Sequence, residues 1–195
     1  MSYVLGLTGP TGAGKGVFAD CARELGFKVI DCDRVARATV KKGSPALEAL
    51  KGAFGAAILK ESGELDRKKL AAIAFSSPEK TELLNKTVLP FIKEKVLKQI
   101  KGKLVLLDAP TLFESGIDGV CDKTVAVLAP ESIRKERIIA RDGLTEGEAK
   151  TRISAGKPDE FYVKNADSVL KNDNGIANFT KSAKIYLSDI IGGIG

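Results

Sequence analysis

The stretch Gly6-Leu7-Thr8-Gly9-Pro10-Thr11-Gly12-Ala13-Gly14-Lys15 constrains the fold of this chain more than any other. From Gly9 to Lys15 it obeys the spacing G-x-x-x-x-G-K. An apolar run, Tyr3–Thr8, precedes it, and a helix-period segment, Gly16–Leu25, follows. Small residues at these positions let consecutive backbone N–H groups converge on an anion. The helix adds the positive end of its dipole, and the lysine reaches outward to distal phosphates. A merely Gly-rich turn would not require the strand, the helix and Lys15 together. The pattern therefore predicts a nucleotide-phosphate site at the carboxyl edge of a parallel sheet.

The rest of the chain alternates in the same sense, with short apolar runs between helix-period segments. Gly26 stops the first helix, and Lys28–Ile30 is a second strand. Residues from about Asp33 to Ile100 read as mostly helical. Within them Val88, Ile92, Val96 and Ile100 recur every fourth position and share a face. Leu104–Leu107 and Thr124–Leu128 are continuous apolar strands, and Pro130 opens a helix through about Arg141. Thr145 with Glu148 forms a capping box for the next helix. Ser168–Leu170 is a short fifth strand before a final helix, and the Ile-Gly-Gly-Ile-Gly tail is expected to fray.

Composition narrows the chemistry. Histidine is absent, so proton transfer falls to carboxylates, lysine, tyrosine or cysteine. Cys21, Cys32 and Cys121 are far apart and odd in number, which argues against a disulfide framework or a cysteine zinc site. No apolar run reaches about 18 residues and no signal peptide is evident, so a cytoplasmic protein without membrane contact is expected. The net charge is +6, yet its lysines and arginines are scattered without an RNA-binding aromatic signature. A phosphate-rich small molecule explains that sign better than nucleic acid does.

Three polar loops fall at the same level of the predicted sheet. Asp31 and Asp33 follow the second strand. Asp108 ends Leu104–Leu107, and Ala109-Pro110-Thr111-Leu112-Phe113-Glu114 comes next. Asp108 has the position of a Walker-B carboxylate, which binds magnesium directly or through water; alternatively it only terminates a strand. Asp33 is placed to cap a helix starting at Arg34. Arg134, Arg137 and Arg141 recur at helical spacing, the pattern of a solvated stripe.

Taken together these motifs resemble the dephospho-CoA kinase family. Gly6–Gly16 is similar to its G-x-T-G-G-I-G-S-G-K-S, and Ile30–Arg37 to I-D-A-D-x-x-A-R. Phe54-Gly55 with Gly63–Arg67 and Leu70 resembles F-G…G-x-L-D-R…L. Asp108–Glu114 is similar to D-x-P-L-L-F-E, and Ala166–Asn172 to A-D-x-V-x-x-N. The resemblance spans nearly the whole chain and implies an α/β P-loop NTPase fold, a five-stranded parallel sheet flanked by helices. It further implies one kinase domain over 1–195, with a core of about 1–35, 102–140 and 166–190. A helical region of about 36–101 would bind the CoA precursor, and a lid would span about 141–165.

The implied reaction is ATP-dependent, magnesium-assisted phosphorylation of the ribose 3′-hydroxyl of dephospho-CoA, by a monomer or weak homo-oligomer. Asp33 (as general base, with helix capping an alternative or additional role), Lys15 and Arg141 would be catalytic. Thr11, Gly12, Ala13, Gly14, Lys15, Gly16 and Arg137 would bind ATP, and Asp108 the metal. Asp31, Arg67, Leu112, Phe113 and Glu114 would hold the acceptor.

The chain departs from the family pattern at several positions. Gly16 replaces the magnesium-binding hydroxyl, Leu89 a usual histidine, Thr111 a leucine, Gly156 a glutamine and Tyr162 a lysine. Magnesium keeps several waters, so the change at Gly16 is expected to slow the enzyme rather than silence it. Two competing readings are another P-loop small-molecule kinase and a non-catalytic nucleotide-binding homologue.

Overall fold

The computed structural model describes residues 2–194. The first half of the chain runs β1 (Tyr3–Thr8), α1 (Lys15–Glu24), β2 (Lys28–Asp31), α2 (Cys32–Thr39), α3 (Pro45–Phe54), α4 (Arg67–Ala74) and α5 (Pro78–Gln99). The second half runs β3 (Leu104–Asp108), β4 (Lys123–Leu128), α6 (Glu131–Asp142), α7 (Glu146–Ser154), α8 (Asp159–Asn165), β5 (Ser168–Lys171) and α9 (Ile176–Gly193). Two compact units result. Cys32–Gln99 is one, and the chain up to Asp31 together with that from Ile100 onward is the other.

The larger unit is built on a five-stranded sheet in the order β2-β3-β1-β4-β5, with every pair parallel. The central strand β1 is buried along nearly its whole length, which accounts for a continuous apolar run instead of an alternating one. Phe18 and Ala22 of α1, Phe179 and Leu187 of α9, and Leu5, Leu106 and Val127 of the sheet form one core. Each large side chain so buried contributes about 1.5–3 kcal/mol. The exposed ion pairs, such as Lys86 with Glu82 at 2.6 Å, contribute about 0–1 kcal/mol apiece, so the apolar core dominates. Cys21 and Cys32 are buried and Cys121 half-buried; burial foremost, aided by Asp118, pushes the Cys121 thiol up to about 12.

A polar knot fixes how β4 meets β5. The backbone N–H and the hydroxyl of Thr124 both donate to Asp167 Oδ2 at 2.7 Å, and the Asp167 N–H donates back to Thr124 Oγ1 at 3.0 Å. The next residues, Val125 and Ser168, open the ladder. The Thr124 hydroxyl bond is the main reason why the Asp167 carboxyl lies below its usual range.

The smaller unit packs its helices around Leu47, Leu50, Ile58 and Leu70. Ser44 caps α3 by accepting from the Leu47 N–H at 3.2 Å, with Pro45 at the first helical position. Asp66 caps α4 through the Lys68 and Lys69 amides at 3.1 Å. Of the expected periodic face, Val88, Ile92 and Val96 lie in α5, with Ile92 and Val96 buried and Val88 packed on the core, whereas Ile100 falls past the helix end. The excess charge has an uneven address. Cys32–Gln99 holds fourteen Lys and Arg against eight Asp and Glu, whereas the remainder holds seventeen of each.

Two expectations are corrected. Asp33 does not precede its helix as a cap, because α2 already begins at Cys32 and Asp33 lies in the first turn. The tail does not fray at Ile191, because α9 runs through Gly193 with Ile191 and Ile194 packed on the core. Gly195 lies outside the described residues. Among the described residues no helix is long and apolar enough to cross a membrane.

We expect Asp167→Ala to lower unfolding stability by about 1 kcal/mol at neutral pH, since the knot is partly solvated. A depressed folded-state pKa means this stabilisation is complete above the ordinary carboxylate range and is lost as pH falls through the folded value. Urea titrations of both proteins should therefore diverge at pH 7 and converge in acid. A gap that widens in acid would contradict the assignment.

Candidate functional site

The loop between β1 and α1 is bent by Gly9, Gly12 and Gly14, all with positive φ. At two of these the space is as decisive as the angle. A Cβ on Gly9 would lie 2.2 Å from the Val127 carbonyl oxygen, and one on Gly14 would lie 2.2 Å from Asn172 Nδ2. Gly14 is also the residue that caps α1 and, at φ 110°, supplies no side-chain acceptor to the first turn. First-turn amides have no acceptor within their own helix, so an anion is their natural partner.

The carbonyls of this loop are tied back by residues far away in sequence. Arg137 on α6 donates from Nη1 to the Gly12 and Ala13 oxygens, both at 3.3 Å. Its Nη2 donates to Asn172 Oδ1 at 3.1 Å, and Asn172 Nδ2 donates to the Ala13 oxygen at 2.8 Å. Asn172 is buried directly after β5, with its own N–H on the Leu128 carbonyl. With these carbonyls engaged, the loop can present its N–H groups to a ligand. Lys15 Nζ donates to the Gly9 oxygen at 2.6 Å and the Pro10 oxygen at 3.3 Å. Gly16 is exposed, and a Cβ there would meet nothing within 4 Å.

Beside the loop, strand register aligns two carboxylates. Asp31 at the end of β2 pairs with Asp108 at the end of β3, and Asp108 also pairs with Leu7 of β1. Thr8 donates its hydroxyl to the Pro110 oxygen at 3.2 Å, holding the chain that leaves β3. Beyond it Phe113 packs edge-on against Phe161 of α8, with centroids 6.0 Å apart.

The helical unit has a cavity of its own, about 340 Å³, with Asp33, Arg37 and Arg67 as its polar lining and Val40, Leu50 and Val88 among its apolar walls. Arg67 donates to the Arg37 carbonyl at 3.3 Å. A larger depression, about 540 Å³, runs along α9 and is lined by that helix alone.

Comparison with known proteins matches residues 3–178 to the family described as dephospho-CoA kinase. The dephospho-CoA kinase of Enterococcus faecalis is 40% identical over 197 residues, covering 98% of this chain and 99% of that protein. The chain belongs to the dephospho-CoA kinase family. Among solved structures, a Thermus thermophilus protein superposes with a TM-score of 0.79 at 33% identity, covering 96% of this chain and 97% of the other. The dephospho-CoA kinase of Campylobacter jejuni superposes with a TM-score of 0.71 at 29% identity and 99% coverage of both. The architecture is the P-loop kinase fold that the resemblance implied.

Set against that family, the expected site residues divide. Thr11 through Gly16, Lys15 and Arg137 come together at the loop, and Asp31 and Asp108 align at the neighbouring strand ends. Asp33 and Arg67 share the cavity of the helical unit. Arg141 stands apart at the end of α6, where its Nε and Nη2 both donate to Asp142 at 2.8 Å. The same carboxylate accepts from Arg152 at 2.7 Å, and the Arg141 bond is the main cause of its lowered pKa.

Leu112 is corrected from acceptor residue to core: it is fully buried, and its Cδ2 would sit 2.8 Å from a Cβ on Gly6. Phe113 is half-buried and Glu114 exposed. Of the departures, Leu89 is half-buried in α5, Thr111 and Gly156 are exposed, and Tyr162 is buried beside Leu128. Asn172 was not among the expected site residues, although it closes the Ala166–Asn172 motif that carried the resemblance. Arg134 is buried, so the three arginines of α6 are not a solvated stripe.

Gly14→Ala should abolish binding of a fluorescent ATP analogue and lower the melting temperature, because its methyl collides with Asn172 in a left-handed conformation. Gly16→Ala should bind normally and be more stable by up to about 1 kcal/mol, since alanine is the better helix former. Equal behaviour of the two variants would refute this account of the loop.

Proposed function

We propose that this chain transfers the γ-phosphoryl group of ATP to the ribose 3′-hydroxyl of dephospho-CoA, giving coenzyme A and ADP, in the cytoplasm and as a monomer or weak homo-oligomer. The observation that carries the reading is the phosphate loop held from behind by Arg137 and Asn172 in a chain of this family. In the transfer the acceptor oxygen forms a new bond to phosphorus as the bond to the β-phosphate oxygen breaks. The hydroxyl proton leaves to a carboxylate, for which Asp33 is the candidate.

Such a reaction asks mainly for positioning and charge neutralisation. The loop amides and α1 would hold the β- and γ-phosphates, with Lys15 leaving its loop carbonyls to bridge them. Arg137 would keep the loop's shape while it does so. Arg141 would join only when its pair with Asp142 opens. The helical unit, with the whole of the net positive charge, an apolar-walled cavity and Arg67, supports the role of acceptor holder. The acceptor brings a diphosphate and a long flexible arm that suit those two features. Asp31, Phe113 and Glu114 are the further acceptor candidates, and the 141–165 segment the candidate lid.

The donor chemistry suits a hydrated magnesium ion. No three His, Cys, Asp or Glu side chains among the described residues form a metal cage. Magnesium bound with substrate phosphates needs only one or two carboxylates and keeps its waters. Asp108, with Asp31 alongside, would hold it, and the ion would neutralise charge on the transferring phosphoryl group.

Incubation with dephospho-CoA, ATP and magnesium should yield a product one phosphate heavier by mass. Asp33→Asn should retain ATP binding and lose on the order of 10²- to 10⁴-fold in kcat; undiminished turnover would remove the base assignment. Gly16→Ser, which the open space around Gly16 accommodates, should tighten magnesium-dependent ATP binding by about tenfold in calorimetry. An identical magnesium response in both proteins would remove the explanation offered for Gly16.

A further inference from the structure

Arg134, in the first turns of α6, has a side chain only 9% exposed. Its nearest counter-ion is Asp159 of α8, Nη2 to Oδ1 at 3.5 Å, which is long for a charge-assisted hydrogen bond. Among the described residues nothing accepts from its Nε, and Asp159 Oδ1 is likewise buried without a donor. A guanidinium carries five N–H donors in a rigid fork, and burying one so sparsely satisfied is costly. A brace that existed only to fasten α8 to α6 would be stronger if short and bidentate, or if replaced by apolar contact.

The position of this cation explains the arrangement. A Cβ on Gly12, in the middle of the phosphate loop, would lie 2.8 Å from the Arg134 carbonyl oxygen and 3.1 Å from both its Cα and Cβ. The Arg134 side chain therefore leaves the backbone alongside the loop. Around its far end stand Asp159 and the buried phenol of Tyr162, which also feels Glu114. Burial, and next the charge of Glu114, push that phenol's pKa up, so it stays neutral and does not compete as an anion. Among the described residues Asp159 is then the anion paired with the guanidinium, at 3.5 Å.

We propose that Arg134 is a further nucleotide-binding residue, a cation that exchanges its loose partner Asp159 for phosphate oxygens of the bound nucleotide. The inference rests on the reading of the loop as a nucleotide site and adds to it a residue with a competing counter-ion inside the protein. In this arrangement Asp159 opposes nucleotide binding, and the 141–165 segment, which ends with α8, is coupled to occupancy of the loop.

The two partners therefore respond with opposite signs. Binding of ATP, and of adenosine as the phosphate-free control, is measured by displacement of a fluorescent ATP analogue without any acceptor present. Arg134→Gln should weaken ATP about tenfold to a hundredfold and leave adenosine unchanged, with Arg134→Lys recovering part of the loss. Asp159→Asn, at a partly exposed carboxylate, should tighten ATP severalfold. If Arg134 only braces the fold, Asp159→Asn weakens ATP as Arg134→Gln does, and the assignment falls. Should Arg134→Gln fail to fold, the sign of the Asp159→Asn effect decides alone. Absence of ATP binding by the unaltered chain would overturn the nucleotide site as well, whereas ATP binding indifferent to both substitutions overturns only the role of Arg134.

Discussion

The bond from Asn172 Nδ2 to the Ala13 carbonyl, reinforced by Arg137 on the Gly12 and Ala13 oxygens, is the contact on which the site depends. A loop rich in glycine has many conformations, and glycine loses the most entropy when it is fixed. Two buried or half-buried side chains at 2.8–3.3 Å offset that cost by engaging carbonyls that would otherwise turn inward. Because Asn172 follows β5 and Arg137 lies in α6, the loop keeps its shape only if the sheet is assembled to its edge strand. The Thr124–Asp167 knot between β4 and β5 serves the same end one step earlier.

Much of this was legible in the sequence, and the reasons are local. The strand–loop–helix spacing around Gly9–Lys15, the buried run Leu104–Leu107 and the Thr145–Glu148 capping box each depend on neighbours within a few residues, and all are present. The capping box closes with Thr145 N–H donating to Glu148 at 2.8 Å. The misreadings concern contacts between residues far apart. Leu112 is core because Gly6, more than a hundred positions away, leaves room for it. Arg134, which a solvated stripe would have exposed, is buried with Asp159 of α8 as its counter-ion, and no helical spacing reveals that. α9 runs through Gly193 because Ile191 and Ile194 still pack on the core, overriding two adjacent glycines.

Gly16 separates grip from metal. The clamp acts on carbonyls and leaves the first helical turn untouched, so removal of a hydroxyl at Gly16 loosens nothing behind the loop. On the proposed reading it would remove one oxygen ligand of a magnesium ion, leaving Asp31 and Asp108, which stand at the ends of β2 and β3 aligned by backbone register. The charge distribution has a matching economy: the sheet unit is neutral, and the excess resides in the helical unit with the cavity.

The most direct measurement is amide hydrogen exchange across the chain with and without ATP. The account predicts that added ATP slows exchange at the amides of Gly12–Val17, and that Asn172→Ala removes this protection while the amides of β1 and β3 remain slow. Protection by ATP centred elsewhere, or undiminished in Asn172→Ala, would contradict the claim that a clamped loop holds the triphosphate.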